Sequence, residues 1–359
     1  MVKTKVAVIG CGTIANSAHI PAYLANAEAE MKYFCDIRVE RAQQAAEKYG
    51  CGEAIADYRM ALADPEVEAV SICTPNHMHA SIAIDAMRAG KHVLCEKPAA
   101  RTYAEALEMQ KVQHETGKVL NIGVVNRFNT AVNVIKNMID GGELGELYHV
   151  YVSFRAHRSI PGLGGDFTTK AVAGGGALID WGVHFLDIVM YCTGDPQPRT
   201  VTGQAYCKLG KELEQYTYMN MWAGPPKLNG TYDVDDFVTG MIRTEGPTIT
   251  LNGAWAQNIG VEEMYIGFLG DQAGIRLQYG KDFKLYSAKH GALLEATPAF
   301  QSTDHFQNEI DSFLKCIKTG EKLPSHIDTV ILSSKIIQGI YDSSERGAEI
   351  AFDQEEARQ

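Results

Sequence analysis

The sequence predicts an α/β protein: a doubly wound parallel sheet, followed by an α+β domain on a mostly antiparallel sheet. Three observations carry this. A continuous apolar strand, Lys5–Ile9, runs straight into Gly10-Cys11-Gly12, and a helical pattern follows. Strand and helix patterns then alternate as far as Gly123, as in parallel β-α-β units with right-handed crossovers. Beyond Gly123, strand-like runs succeed one another through short turns such as Thr244-Glu245-Gly246-Pro247, as in antiparallel sheets. The domain boundary is placed there, giving residues 1–123 and 124–359.

Composition narrows the function. A chain of 359 residues is long enough for two cores, and 45% hydrophobic with 21% charged residues is ordinary for a soluble globular protein. The formal charge of -11 and the lack of any basic block argue against nucleic acid or an anionic membrane as partner. The N-terminal apolar run is too short for a signal peptide or a membrane span. Eight cysteines are scattered without a C-x-x-C pair, and Cys11, Cys73 and Cys95 lie in strand or turn contexts. This points to reduced thiols in a cytoplasmic enzyme.

In the first domain, Gly10-x-Gly12-x-x-Ala15 follows the opening strand directly. The two glycines permit a tight turn and close approach of a pyrophosphate, and Ala15 is small enough for helix–strand packing. The helix that opens at Thr13 and Ile14 offers its N–H groups and positive dipole end to the phosphates. Ile20 and Leu24 continue that helix, with a break or kink expected at Pro21. The second strand, Met31–Cys35, ends in Asp36, an acid placed to bind the adenosine ribose hydroxyls and repel a 2′-phosphate. NAD is therefore favoured, while Arg38 and Arg41 keep NADP open. Asp36 also reads as an N-cap for a helix over Val39–Tyr49.

A helix near Tyr58–Ala63 and a strand Ala69–Cys73 lead to Thr74-Pro75-Asn76-His77-Met78-His79, then a helix over Ala80–Ala89. Thr74, Asn76 and His79 stand at a strand's carboxyl end, facing cofactor or substrate. Cys73, His77 and His79 also read as metal ligands, but H-x-H is unspecific, and no metal is expected. The next strand, Val93-Leu94-Cys95, stops at Glu96-Lys97-Pro98. A lysine desolvated there would lose pKa and become a usable proton acceptor. Helix Tyr103–Thr116 and strand Lys118–Ile122 close the domain.

The second domain opens with a helix around Ala131–Asp140 and a strand over Leu147–Phe154. Further strands are expected at Thr200–Tyr206, Asp236–Thr244, Thr248–Gln257, Glu263–Leu269, Gly274–Gln278 and Phe283–Ser287. Helices at His305–Lys318 and Asp328–Glu345 end the pattern. Gly174-Gly175-Gly176 frees the backbone to approach a ligand, and the following residues read as helix, with Asp180 and His184 one turn apart on one face. There a carboxylate orients an imidazole, or both grip hydroxyls of a polyol; the plainer alternative is a capping acid and a core histidine. Asp187 reads as structural.

Gly10-x-Gly12-x-x-Ala15, Glu96-Lys97-Pro98 and Gly174-Gly-Gly-x-x-x-Asp180-x-Gly-x-His184 together resemble the Gfo/Idh/MocA oxidoreductases, along essentially the whole chain. The resemblance implies an N-terminal Rossmann domain and a C-terminal domain whose large open sheet forms a homodimer or homotetramer interface. It implies that Lys97 lies near the nicotinamide and the reacting hydroxyl, with Glu96 beside it, and that Asp180 and His184 complete the site. Asn76, His79 and Arg127 match cofactor or substrate contacts, and the segment Arg155–Arg158, with Arg155 and His157 as substrate contacts, and the loop Gly162–Lys170 fall where sugar recognition varies. The implied reaction is NAD-dependent oxidation of a secondary hydroxyl in a sugar, glycoside or cyclitol, with His184 or Lys97 as base. Thr168-Thr169-Lys170-Ala171 resembles members acting on the 3-hydroxyl of glucosides. Two alternatives stand: glycoside cleavage through transient oxidation, and a non-catalytic sugar- or nucleotide-binding regulator.

Overall fold

The computed structural model describes residues 3–219 and 221–352. The chain forms two units, Met1–Phe128 with Thr303–Ile331, and Asn129–Ser302 with Leu332–Gln359.

The first unit holds a parallel sheet of β1 (Thr4–Ile9), β2 (Ala29–Cys35), β3 (Glu53–Ile55), β4 (Ala69–Ile72), β5 (His92–Glu96) and β6 (Leu120–Gly123). Its order is β3-β2-β1-β4-β5-β6, so the winding reverses between β1 and β4, where open α/β sheets bind ligands. The crossovers carry α1 (Ile20–Ala25), α2 (Val39–Tyr49), α3 (Tyr58–Ala63), α4 (His79–Arg88) and α5 (Tyr103–Thr116). The expected irregularity near Pro21 is a widened π-type turn over Ala15–His19; it ends as Pro21, which has no N–H to give, enters α1. Asp57 caps α3 through the Arg59 N–H, and Thr102 caps α5 through the Glu105 N–H. Each such cap stabilises by about 1 kcal/mol.

Strand β1 is buried on both faces and divides the core. Val6 and Val8 pack with Tyr23, Phe34, Ile310, Phe313 and Leu314, while Ala7 and Ile9 pack with Ile72, Met109, Ile327 and Val330. The helix His305–Thr319 and the start of Ile327–Arg346 thus cover the first sheet, a return that no sequence signal marks. Strand β3 was also not expected: three residues are too short to show a period.

The second unit is built on β7 (Leu147–Arg155), β8 (Pro198–Tyr206), β9 (Phe237–Thr244), β10 (Thr248–Ala254), β11 (Glu263–Gly270), β12 (Ala273–Gln278), β13 (Phe283–Lys289), β14 (Ala292–Ala296) and β15 (Ile350–Ala351). They form one sheet ordered β14-β13-β12-β11-β7-β10-β9-β8-β15. Only β7 and β10 pair in parallel, so the mostly antiparallel expectation holds. Strands β14 and β15 add to those anticipated. Along β7, Val150 and Val152 face the core while Tyr148 and Tyr151 face outward.

Helices α6 (Thr130–Asp140), α7 (Lys170–Ala173) and α8 (Val183–Cys192) belong here, together with residues 332–346 of the helix Ile327–Arg346, whose Leu332, Ile336, Ile337 and Ile340 join the same core. The apolar face of β7, β10 and β11 packs on Phe185, Leu186 and Val189 of α8. The run Lys170–Cys192 is long and apolar enough to cross a membrane, but 78% of its most apolar 18-residue stretch is buried inside the protein, which marks a core helix.

Candidate functional site

In the first unit the glycine turn lies against the end of β4. Gly10 has φ +93°, and a Cβ there would sit 2.5 Å from the Cys73 carbonyl oxygen, so only glycine fits. Around Gly12 the space where a Cβ would stand is open for 4 Å. Asp36 Oδ2 accepts the Cys11 N–H at 3.0 Å, and Oδ1 accepts the Arg38 N–H at 2.9 Å. The expected N-cap role of Asp36 is therefore corrected: Arg38 takes the N-cap position of α2 without a side-chain cap, and Asp36 fastens β2 to the glycine turn. Arg41, one turn into α2, donates its backbone N–H to the Arg38 carbonyl at 2.8 Å.

Thr74 Oγ1, at the end of β4, is buried and has no hydrogen-bond partner among the described residues. A buried hydroxyl left so is costly unless a ligand meets it. The orphaned hydroxyl, the open space at Gly12, the free helix N-terminus at Thr13 and Ile14, and the acid ending β2 fit a dinucleotide.

Beside this, β5 delivers Lys97, half-buried, at its carboxyl end. The strand runs one residue further than expected, because Glu96 still pairs with Gly123 of β6; its carboxylate is buried and bonded on both oxygens. His19 Nε2 meets Glu96 Oε1 at 2.8 Å, and the Lys97 N–H donates to Glu96 Oε2 at 3.1 Å. The other ring nitrogen of His19 meets Ser71 Oγ at 2.8 Å, and Tyr23 donates to that oxygen at 3.4 Å. The Lys97–Pro98 peptide is cis.

Two expected contacts are corrected. His79 does not face a ligand: it is buried, with Nδ1 2.7 Å from the Pro98 carbonyl oxygen and Nε2 2.9 Å from that of Thr74. Burial lowers its pKa, against the two carbonyls, and the ring is held between the Pro98 turn and the end of β4. Both nitrogens being engaged also removes it as a metal ligand; among the described residues no group of three His, Cys, Asp or Glu is arranged for a metal. Arg127 is fully buried and donates to the Pro324 carbonyl at 2.8 Å and Thr329 Oγ1 at 3.1 Å, which makes it a brace. Asn76 opens a short 3-10 turn, Asn76–Met78, before α4.

In the second unit, the triple glycine enters the helical run through contacts only small residues permit. Cβ atoms on Gly175 and Gly176 would overlap the Tyr341 hydroxyl and the Asp235 carbonyl oxygen. The buried Asp235 carboxylate accepts the Gly176 N–H at 2.7 Å, the Leu178 N–H at 2.9 Å and the Tyr341 hydroxyl at 2.7 Å. Burial pushes its pKa up, against these three donors. From this clamp springs a widened turn, Leu178–Gly182, that carries Asp180, and then α8 with His184 in its first turn. Asp180 is buried; His184 is half-buried, its ring centroid 6.3 Å from that of Tyr279. Asp187 is buried within α8.

Arg155 bonds Ser153 Oγ at 3.2 Å and pairs with Glu263, holding that carboxyl's pKa below its usual range. His157 Nδ1 meets the Gln257 carbonyl oxygen at 2.9 Å, in an exposed position. Their side chains therefore brace β7 and the segment after it. Thr168 Oγ1 donates to the Thr231 carbonyl at 2.8 Å, and the Lys170 N–H to Asp233 Oδ1 at 2.6 Å. His19, Ser71, Asp235 and Tyr341 escaped the sequence reading. The acidic pair Asp235-Asp236 just before an apolar strand was the one signal available for them.

Residues 4–124 match the GFO/IDH/MocA oxidoreductase family, NAD-binding Rossmann fold, and residues 132–276 match the GFO/IDH/MocA C-terminal domain. The D-glucoside 3-dehydrogenase of Escherichia coli (strain K12) is 30% identical over 349 residues, 96% of this chain and 97% of that protein. A levoglucosan dehydrogenase of Pseudarthrobacter phenanthrenivorans is 36% identical over 172 residues, 46% of this chain and 43% of that one. A solved levoglucosan dehydrogenase complex with NADH and levoglucosan shares the fold at TM-score 0.85 and 23% identity, covering 98% of this chain and 100% of that one.

Proposed function

Since this chain belongs to the GFO/IDH/MocA family of NAD-binding oxidoreductases, we propose that it oxidises the 3-hydroxyl of a glucoside or closely related glycoside. The observation that carries this reading is the full-length likeness to D-glucoside 3-dehydrogenase, in a chain with Lys97, Asp180 and His184 at the motif positions.

Bound NAD supplies the hydride acceptor. The glycine turn holds its pyrophosphate with backbone N–H groups, and Asp36 takes the adenosine ribose hydroxyls. Arg41 lies on the adenosine side, while Thr74, Asn76, Glu96 and Lys97 stand on the nicotinamide side. His184, oriented by Asp180, accepts the hydroxyl proton of the substrate. Lys97 hydrogen-bonds the same oxygen and stabilises its developing negative charge. The protein acts in the cytoplasm, where its eight free cysteines stay reduced, and assembles as a homodimer or homotetramer through the outer face of the nine-stranded sheet.

Absorbance at the reduced-nicotinamide band, with NAD or NADP over a panel of glucosides, free sugars and inositols, tests the reading. A rise with glucosides, and a 3-keto product by NMR, supports it. A rise only with inositols replaces the substrate class. No rise with any substrate, but glycoside cleavage without added NAD, replaces the reaction.

A further inference from the structure

Lys97 is held by a buried charge pair that the sequence did not reveal. Glu96 lies between two elements with no room to move: a Cβ on Gly123 of β6 would stand 3.2 Å from Glu96 Oε1. That same oxygen faces His19 Nε2 at 2.8 Å, and the opposite oxygen takes the Lys97 N–H at 3.1 Å. His19 is anchored on its far side by Ser71 Oγ, so the ring cannot turn away from the carboxylate.

We propose that His19 is a positioning residue for Lys97: its pairing with Glu96 fixes the lysine's backbone and neutralises the carboxylate beside which the ammonium sits. The inference rests on the role given to Lys97 above. It extends that role to a residue four positions beyond the last small residue of the glycine motif.

The charges around the pair come from every neighbouring element. The first helical run brings His19 and Tyr23, β4 brings Ser71 and the residue just past its end, Cys73, β5 brings Cys95 and Glu96, α4 brings His79, and the helix His305–Thr319 brings Glu309. Burial alone would lower the pKa of His19, but Cys73 and Glu96 outweigh it and hold it up at about 10. Burial raises the pKa of Cys73 in turn, against the pull of His19. Glu96 is pushed upward by burial, yet His19 and Lys97 bring it below its ordinary value. His19 and Glu96 thus each favour the other's charged form. Removing the imidazolium leaves Lys97 facing an uncompensated anion, which favours its charged form.

The test reads Lys97 directly. Reductively ¹³C-methylated enzyme is titrated by NMR, with the Lys97 resonance assigned by its loss in Lys97→Arg. His19→Gln keeps a donor to Glu96 but removes the charge, and should raise the Lys97 midpoint by about one pH unit. Glu96→Gln should lower it, and adding His19→Gln should move it little further, because a buried imidazole without its carboxylate is no longer held in the charged form. Glu96→Gln also serves if His19→Gln fails to fold. A midpoint unmoved in His19→Gln, or not lowered in Glu96→Gln, overturns the proposal. The role of Lys97 is read separately: normal turnover in Lys97→Ala defeats that role and leaves the titration result intact.

Discussion

The Gly176 N–H donates to Asp235 Oδ1 at 2.7 Å, while a Cβ on that glycine would overlap the Asp235 carbonyl oxygen. A loop acid and a backbone stripped to its smallest form thus fasten the entry to the run that carries Asp180 and His184. Substituting either partner separates folding from chemistry. Gly176→Ala should destabilise by about 2–3 kcal/mol through overpacking. Asp235→Ala strands two buried N–H groups and should lose about 3 kcal/mol or more. Urea unfolding measures both. In the folded fraction, kcat should fall while NAD affinity stays level, because the residues proposed to hold the cofactor belong to the other unit.

Lys97→Ala should lower kcat by about a hundredfold or more and leave the dissociation constant of NAD nearly unchanged. Stopped-flow reduction of NAD with a glucoside gives the first number, and fluorescence titration gives the second. Near-normal turnover would remove Lys97 from proton handling.

Asp36→Ala should weaken NAD by about tenfold and NADP far less, since the ribose contact is lost but no 2′-phosphate is repelled. Part of the loss is shared, because Asp36 also accepts the Cys11 N–H. Equal losses for both nucleotides, measured by calorimetry, would reduce Asp36 to that fastening.

Two histidines set an acid limit on the first unit. His92 Nδ1 accepts the Val119 N–H, and His326 Nδ1 accepts the Asp328 N–H; burial holds the pKa of each down at about 4. Both are neutral when folded and protonate near 6.5 when unfolded. The unfolded state thus binds more protons between these values, so stability falls as pH drops from about 6.5 to about 4. Thermal unfolding across that range should show the slope. His92→Asn retains an acceptor without the titration and should flatten it by about one proton; an unchanged slope would show that His92 does not contribute.

How much of this was readable depends on where the information lies. The β-α alternation of the first unit, β3 apart, was legible because a parallel sheet writes itself as apolar runs at regular spacing, and the helical run that carries Asp180 and His184 because three glycines announce it. His19 was not, since one histidine within a helix carries no periodicity; only the fold places it opposite Glu96, 77 positions on. His79 and Arg127 misled for the converse reason. Each is a polar residue at a suggestive position that bonds main-chain carbonyls of its own unit, Arg127 also the Thr329 hydroxyl. Arg155 spends its charge on Glu263, which register pairing in the antiparallel sheet brings opposite it.

The return of Thr303–Ile331 to the first unit gives translation a direction. When the ribosome has made Met1–Phe128, the whole parallel sheet exists as polypeptide, yet Val6 and Val8 still lack Ile310, Phe313 and Leu314. At about 5–20 residues per second, those partners arrive on the order of 10–40 s later. For that interval the nascent nucleotide-binding half carries an uncovered apolar flank, while the residues of the nine-stranded sheet emerge behind it. Completion of the first-made half waits on nearly the last-made helix, so a chain truncated within residues 129–302 is left with a flank for chaperones to find.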